Sequence, residues 1–394
     1  MYTPESVYGI FKNMKKIYFD YAATTPIDLD IVEKIRPFME EKFGNPSSMH
    51  SFGQEALFAV DNAREKVADF LGCNEREIVF TSSATQANNI AILGVLKKIK
   101  SPHVITSSFE HKAVLEPLKE SGAEVTYLPV YKEGVVRIDD LKEEIKENTA
   151  LVSLGYVNSE VGTIQPIGEI GDIIKDLNKQ RQRKIIYHTD AVQAVNYLPC
   201  KVNDLGVDIL TLSGHKIYGP KGAGALFIRE STEISPIIYG ASQEKKLNPG
   251  TENVFAVAGL GFALESVEKY NWEKVKKMRD RIIDVVLNDI TDTKLNGSRE
   301  KRIPNNANIT FPGTEGESLM IALDTEGVAV STGSACASKT LSPSGVLLSM
   351  GLSHEEAHSS LRISLGRYTT EKEVDYFLEK LPPIVSRLRK IAGK

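Results

Sequence analysis

The sequence is poor in cysteine. Three occur in 394 residues, Cys73, Cys200 and Cys336, far apart and with no CxxC spacing. That gives neither a disulfide framework nor a zinc pattern, and it fits a reducing, cytoplasmic compartment. No apolar run approaches the length needed to span a bilayer. The stretch MYTPESVYGIFKNMKK lacks an apolar core and a small-residue cleavage pattern, so no secretory signal is expected in it. An excess of one charge is missing too: 48 Lys and Arg stand against 52 Asp and Glu, a net charge of −4. Nothing in that balance draws the chain to nucleic acid or to a membrane surface. Repeats and low-complexity stretches are absent. What is present is an ordinary globular composition, 41% hydrophobic and 25% charged. The length suggests two or three domains at about 100–200 residues each.

Short apolar runs alternate with amphipathic segments through the first two-thirds. IYFDYAA reads as an entry strand. EIVFT, HVITSS, EVTYLPV, ALVSLGYV, KIIYHTD, ILTLSG and GALFI read as further strands. DIVEKIRPFMEEKF, GQEALFAVDNAREKVADFLG, QANNIAILGVLKKIK and IGEIGDIIKDLNKQ read as helices. Strands alternating with helices predict a largely parallel sheet covered on both faces. Ligands in such sheets sit beyond the carboxyl ends of the strands, so chemistry is sought there. After about residue 264 a long polar helix, SVEKYNWEKVKKMRDRIIDVVLNDI, leads into shorter elements. The expected division is a large α/β domain over 16–263 and a smaller α+β domain from 1–15 with 264–394.

Four strand ends carry candidate chemistry. In DILTLSGHKIYGPKGAGALFI, Lys216 follows an apolar strand within a glycine-rich turn, where its amine could form an imine with a carbonyl cofactor. By itself it also reads as an exposed loop lysine. In KIIYHTDAVQA, Asp190 ends a strand and suits the anion that a protonated pyridinium needs beside its nitrogen. It equally suits a helix N-cap. Gln193, three residues on, could meet a ring hydroxyl. In EIVFTSSATQANNIAILGVL, a strand runs through Ser and Thr into a helix start, a natural phosphate cup or a plain cap. In FEHKAVLEPL, His111 precedes a helix and could lie over a flat ring or carry a proton.

Together the segments EHKAVL, VNSEVGTIQPI, HTDAVQA, SGHKIYGPKGAGAL, PGTEN, STGSACAS and LRISLGR resemble the cysteine desulfurases of the iron–sulfur assembly type, within the class V aminotransferase superfamily. The likeness runs from about residue 17 to about 370. It implies the fold type I of pyridoxal-phosphate enzymes, a mostly parallel seven-stranded sheet flanked by helices. It also implies pyridoxal 5'-phosphate held by Lys216, with Asp190 on the ring nitrogen and Gln193 on the ring hydroxyl. His111 would stack on the ring as an acid–base group. Ala84, Thr85, Ser213 and His215 would bind the phosphate, joined by Thr251 from a second subunit, hence a homodimer. Asn158 and Arg362 would position L-cysteine, an arginine fork suiting its carboxylate. Cys336 would receive the sulfur as a persulfide and pass it to an acceptor such as an iron–sulfur scaffold or the tRNA-thiolation machinery. Its setting, STGSACASKTLSPSG, is rich in Gly, Ser and Ala and reads as a mobile loop. Cys73 and Cys200 read as structural.

The chain departs from the family pattern at two places. Ser83 and Gln86 stand where glycine and glutamate are usual, and Lys246 and Asn248 where glycine and arginine are frequent. Other enzymes of the superfamily, selenocysteine lyase above all, share the cofactor residues. A transaminase has no use for the cysteine loop. An inactive scaffold would be expected to lose Lys216 or Asp190. No metal is expected: His354 and His358 in SHEEAHSS fit an exposed helix start better than a ligand pair. Direct nucleic-acid binding is not expected either.

Overall fold

The computed structural model describes residues 16–267, 269–333 and 343–393. Its strands, in chain order, are β1 (Ile17–Tyr18), β2 (Ile78–Thr81), β3 (His103–Ser107), β4 (Glu124–Leu128), β5 (Thr149–Gly155) and β6 (Ile186–Asp190). They continue with β7 (Ile209–Ser213), β8 (Gly224–Ile228), β9 (Lys294–Leu295), β10 (Asn306–Thr310), β11 (Val328–Ala329) and β12 (Ser360–Ser364). Seven of them form one sheet in the order β2-β8-β7-β6-β5-β3-β4. Only β8 runs against the others.

Both faces of this sheet are buried. Along β2, Ile78 and Phe80 join one apolar cluster and Val79 the other. The same split occurs in β5 between Val152 and Leu151. Two-sided burial is why these strands read as continuous apolar runs rather than as alternations. The expected seven-stranded, mostly parallel α/β sheet is therefore present.

Two helices differ from the sequence reading. DIVEKIRPFMEEKF splits into Leu29–Ile35 and Pro37–Glu40. Pro37 has no N–H to continue the first helix and instead starts the second. The predicted long polar helix starts only at Glu273 and runs to Asp289. The residues before it belong to a separate helix, Val254–Val267, apolar on nearly all sides. Between the two, Tyr270 and Tyr197 pack edge-on against Trp272, with centroids 4.6 and 4.5 Å away. That burial of three rings favours a turn over continued helix.

The second core is separate. β12, β10 and β9 form an antiparallel sheet, and β1 pairs in parallel with β11. The entry strand thus leaves the large sheet: Ile17 and Phe19 pack with Ile309, Leu361 and Phe377. Residues 1–15, expected in this unit, lie outside the described residues. His354–His358 is a short helix with a Ser353–Glu356 capping box, and both histidines are exposed.

Candidate active site

The predicted chemistry converges on the carboxyl ends of β2, β3, β5, β6 and β7. Lys216 lies in the single turn Gly214–Lys216 after β7. Its Nζ donates to the carbonyl oxygens of Ala22 at 2.5 Å and Ala23 at 2.7 Å. Gln193 Nε2 donates to the same Ala22 oxygen at 2.9 Å. Thr25 donates through its N–H (2.9 Å) and its Oγ1 (3.1 Å) to the His215 carbonyl, and its Oγ1 accepts the Tyr218 N–H at 2.9 Å. The segment Ala22–Thr25 thus wraps the lysine turn from about 190 positions away in sequence. The sequence reading missed it, since small residues before a proline carry no chemical signal of their own.

Asp190 closes β6. Its Oδ1 accepts the Val192 N–H at 3.0 Å and its Oδ2 accepts Asn88 Nδ2 at 2.7 Å. One carboxylate therefore caps the following turn and also faces inward. Asn88 was missed as well. It is fully buried in the otherwise apolar helix Ala84–Leu96. A buried amide among Ile, Leu and Ala needs a partner, and that is the signal that could have found it.

His111 caps the helix Lys112–Glu120, its Nδ1 accepting the Ala113 N–H at 3.0 Å. The neutral ring then carries its proton on Nε2. Burial holds its pKa below the ordinary value, Asp190 pulls it up, and Lys216 and Lys112 push it down. His111 thus feels the charge of both Asp190 and Lys216. Beneath them lies Glu110, fully buried, accepting from Ser107 Oγ (2.5 Å) and from the Gly155 N–H (3.0 and 3.1 Å). A side chain at Gly155 would come within 2.8 Å of that carboxyl, so glycine lets Glu110 keep its place against the strand end. Burial raises the Glu110 pKa to about 7, against its hydrogen bonds and with a contribution from Asp190.

The cup forms where expected. Ser83 Oγ accepts the Gln86 N–H at 3.2 Å and caps the helix. The N–H groups of Ala84 and Thr85 belong to its first turn and have no acceptor within the helix. Gly224 of β8 pairs with Thr81 on one side and Ser213 on the other. A Cβ there would reach 2.9 Å from the Ser83 carbonyl carbon, so glycine lets β8 lie against the cup. The cup and the lysine turn therefore stand two strands apart. His215, whose Nδ1 meets Thr24 Oγ1 at 3.2 Å, is kept neutral with a pKa near about 4, by burial first and then by Lys216 and Lys221.

The two departures from the family pattern meet. Gln86 Nε2 donates to Asn248 Oδ1 at 2.7 Å, so two carboxamides face each other where glutamate and arginine are usual. Of the two residues expected to position substrate, Asn158 accepts through its Oδ1 the N–H groups of Glu160 and Val161 at 2.9 and 3.1 Å. Arg362 donates to the Ser159 carbonyl (3.1 Å) and to Asp20 Oδ1 (2.7 Å). Its guanidinium is already paired within the chain, while its Nε has no partner among the described residues. Thr251 is exposed. Cys336 lies outside the described residues, and of the loop expected around it only the two ends, 331–333 and 343–345, are described. Cys73 and Cys200 are free thiols, both pushed up to about 12 by burial.

This donor set fits pyridoxal phosphate. An amine after β7, a carboxylate closing β6 and an imidazole after β3 share one sheet edge with helix-start N–H groups that have no acceptor within their helix.

A family model described as aminotransferase class-V matches residues 17–377. Cysteine desulfurase IscS of Dictyoglomus turgidum is 48% identical over 387 residues, covering 96% of each chain. A solved NifS-like protein superposes with a TM-score of 0.88 at 37% identity, covering 95% of this chain and 100% of that one. The structure titled SspA in complex with cysteine gives 0.79 at 37% identity, over 90% of this chain and 100% of that one. With the matched region spanning the strands, the lysine turn and the second core alike, the chain belongs to the class-V aminotransferase family.

Proposed function

We propose that this chain is a pyridoxal-phosphate-dependent cysteine desulfurase, taking sulfur from L-cysteine onto Cys336 as a persulfide and releasing L-alanine. The observation that carries the reading is the placement of Lys216, Asp190 and His111 at neighbouring strand ends of one sheet edge, in a chain that also supplies Cys336. Relatives named cysteine desulfurase and a cysteine-bound neighbour support it.

Bound pyridoxal phosphate supplies an electron sink for the pair left at the substrate Cα. Lys216 would hold the cofactor, and its amine would take the substrate Cα proton. Asp190 would keep a proton on the ring nitrogen, and Gln193 would meet the ring hydroxyl. The Ala84 and Thr85 N–H groups, with Ser213 and His215, would hold the phosphate. Thr251, exposed in the single chain, reaches that phosphate in a second copy, which makes the working unit a homodimer. Arg362 and Asn158 orient the substrate carboxylate. The Cys336 thiolate attacks the substrate sulfur: the S–S bond forms as the Cβ–S bond breaks. His111 and Lys216 return the protons that turn the remaining three-carbon unit into alanine. The persulfide passes to an acceptor protein, an iron–sulfur scaffold being the fitting class. Free, undissociated thiols at Cys73 and Cys200 suit a reducing cytoplasm. Among the described residues no helix is long and apolar enough to cross a membrane.

The test is to incubate the cofactor-loaded protein with L-cysteine and a thiol reductant and to quantify alanine and sulfide together. Equal release of both is expected, abolished by Lys216→Ala and by Cys336→Ala. Full alanine production by Cys336→Ala would sink the sulfur-transfer step, and pyruvate in place of alanine would indicate elimination.

A further inference from the structure

β2 is an edge strand of the large sheet, with β8 as its one strand neighbour. An edge leaves backbone donors and acceptors in need of partners. Here side chains fill the gap. Arg64 Nη1 donates to the Ile78 carbonyl at 3.0 Å. Glu244 Oε2 accepts the Phe80 N–H at 2.6 Å, and Asn248 Nδ2 donates to the Phe80 carbonyl at 2.9 Å. Glu244 is itself held by a two-pronged ion pair to Arg64, at 2.6 and 3.1 Å, with its side chain only 3% exposed.

From Asn248 the contact continues into the cup. Asn248 Oδ1 accepts Gln86 Nε2 at 2.7 Å. Gln86 Oε1 accepts both the Ser82 N–H (2.7 Å) and Ser82 Oγ (2.8 Å). An unbroken path thus runs from the Phe80 carbonyl through Asn248 and Gln86 to Ser82, beside the free N–H groups of Ala84 and Thr85. The segment that delivers it is unusual. Glu244, Lys245 and Lys246 hold φ of +43, +57 and +66, three left-handed residues in a row with no glycine among them. Such a backbone persists only where surrounding contacts over-determine it. The contacts that do so here are the Glu244 carboxylate on Arg64 and Phe80, buried Leu247, and the Asn248 amide.

We propose that Asn248 and Gln86 are positioning residues for the cofactor phosphate. Seated by Glu244, they hold the Ser82–Thr85 turn in the conformation whose N–H groups converge, and so set how tightly the chain retains pyridoxal phosphate. The inference rests on the reading that Ala84 and Thr85 receive that phosphate. A positioning role through the turn makes a prediction that general support of the fold does not. It acts on the phosphate and not on the pyridine ring.

The test uses cofactor-free full-length protein, titrated separately with pyridoxal phosphate and with pyridoxal, which lacks the phosphate. The uptake is followed by absorbance and by quenching of the Trp272 fluorescence. Asn248→Ala and Gln86→Met are expected to weaken pyridoxal phosphate about tenfold while leaving pyridoxal within about twofold. The double variant should be no weaker than the worse single one, since both break one path. Asn248→Gln tests a milder displacement and keeps the question answerable if an alanine variant misfolds. Equal weakening of the two ligands, or no change in either, overturns the inference even when wild-type protein binds pyridoxal phosphate and turns over cysteine. Failure of wild-type protein to bind pyridoxal phosphate would overturn the proposed function along with it.

Discussion

The two sheets bury their polar groups differently. In the large sheet, apolar side chains cover both faces, a short hydrogen-bonded row of Ser153, His188 and Thr211 crosses the strand middles, and Lys216, Asp190 and His111 stand at or just beyond strand ends. In the small sheet, β10 and β12 alternate: Ala307, Ile309, Leu361 and Ile363 face an apolar core. The opposite face pairs Asn306 with Ser364, Asn308 with Arg362 and Thr310 with Ser360. Such alternation ordinarily marks a strand with one wet face. Here the polar face is buried as well, every one of those six residues being at most 2% exposed. Asn306 and Asn308 donate to the Glu160 carbonyl at 3.2 and 3.1 Å, and Arg362 to the Ser159 carbonyl. The small sheet therefore docks its polar face onto the turn that carries Asn158. Apolar contact builds each core. Directional hydrogen bonds, which tolerate little displacement, join the small sheet to that turn.

The comparison breaks most severely at the junction's charge. Asp20→Ala leaves the Arg362 guanidinium buried with, among the described residues, only the Ser159 carbonyl as its hydrogen-bond partner. Losing one member of a buried pair costs about 3–5 kcal/mol, and denaturant unfolding should show a loss in that range. An unchanged midpoint would mean that the polar face is wetter than its geometry implies.

A second break is pH-dependent and sits under the cofactor end. Glu110 keeps its proton in the folded state up to about pH 7, whereas an ordinary glutamate releases it near 4.5. The folded state then binds more protons across that window, so Glu110 favours folding at low pH and loses that contribution as pH rises from about 4.5 to about 7. The change is on the order of 3 kcal/mol. His188, buried and depressed to about 4, works the other way, costing stability as pH falls below 6.5. The comparison of Glu110→Gln with wild type isolates the first effect: the variant's relative stability should improve from pH 5 to pH 8. A constant difference across that range would show that Glu110 titrates normally.

The smallest effect separates the two faces of the small sheet. Asn296 Nδ2 reaches Asn308, Thr310 and Ser360 at 2.8, 2.9 and 3.2 Å. Asn296→Ala strands buried polar atoms and should cost about 1–3 kcal/mol, while Ile309→Val on the apolar face should cost about 0.5–1.5 kcal/mol. Thermal melts of the two variants should rank them in that order, and the reverse ranking would mean water takes over the amide's partners.

Much of this was legible in the residues. The strands from EIVFT to GALFI are all present, because two-sided burial writes itself as short apolar runs. Lys216, Asp190 and His111 were found because strand ends are where such sheets place their chemistry. The split at Pro37 was available from proline alone and was missed by following periodicity through it. The boundary near Trp272 was not available, because the ring that packs edge-on against it, Tyr197, comes from a distant position. Asn88 was half legible, as an amide in an apolar helix whose partner could not be named.

What the sequence determined by itself is what depends on near neighbours: where strands and helices form, which strand ends carry an amine, a carboxylate or a capped helix start, and the set of motifs that marks the family. The tertiary structure alone decided which distant groups those residues meet. Ala22 and Ala23 receive the Lys216 amine, Asn248 meets Gln86, Asp20 holds Arg362, and the polar face of β10 is buried rather than wet. Propensity and periodicity act over a turn or a pleat, whereas a hydrogen bond between residues 20 and 362 exists only once two cores have formed and docked.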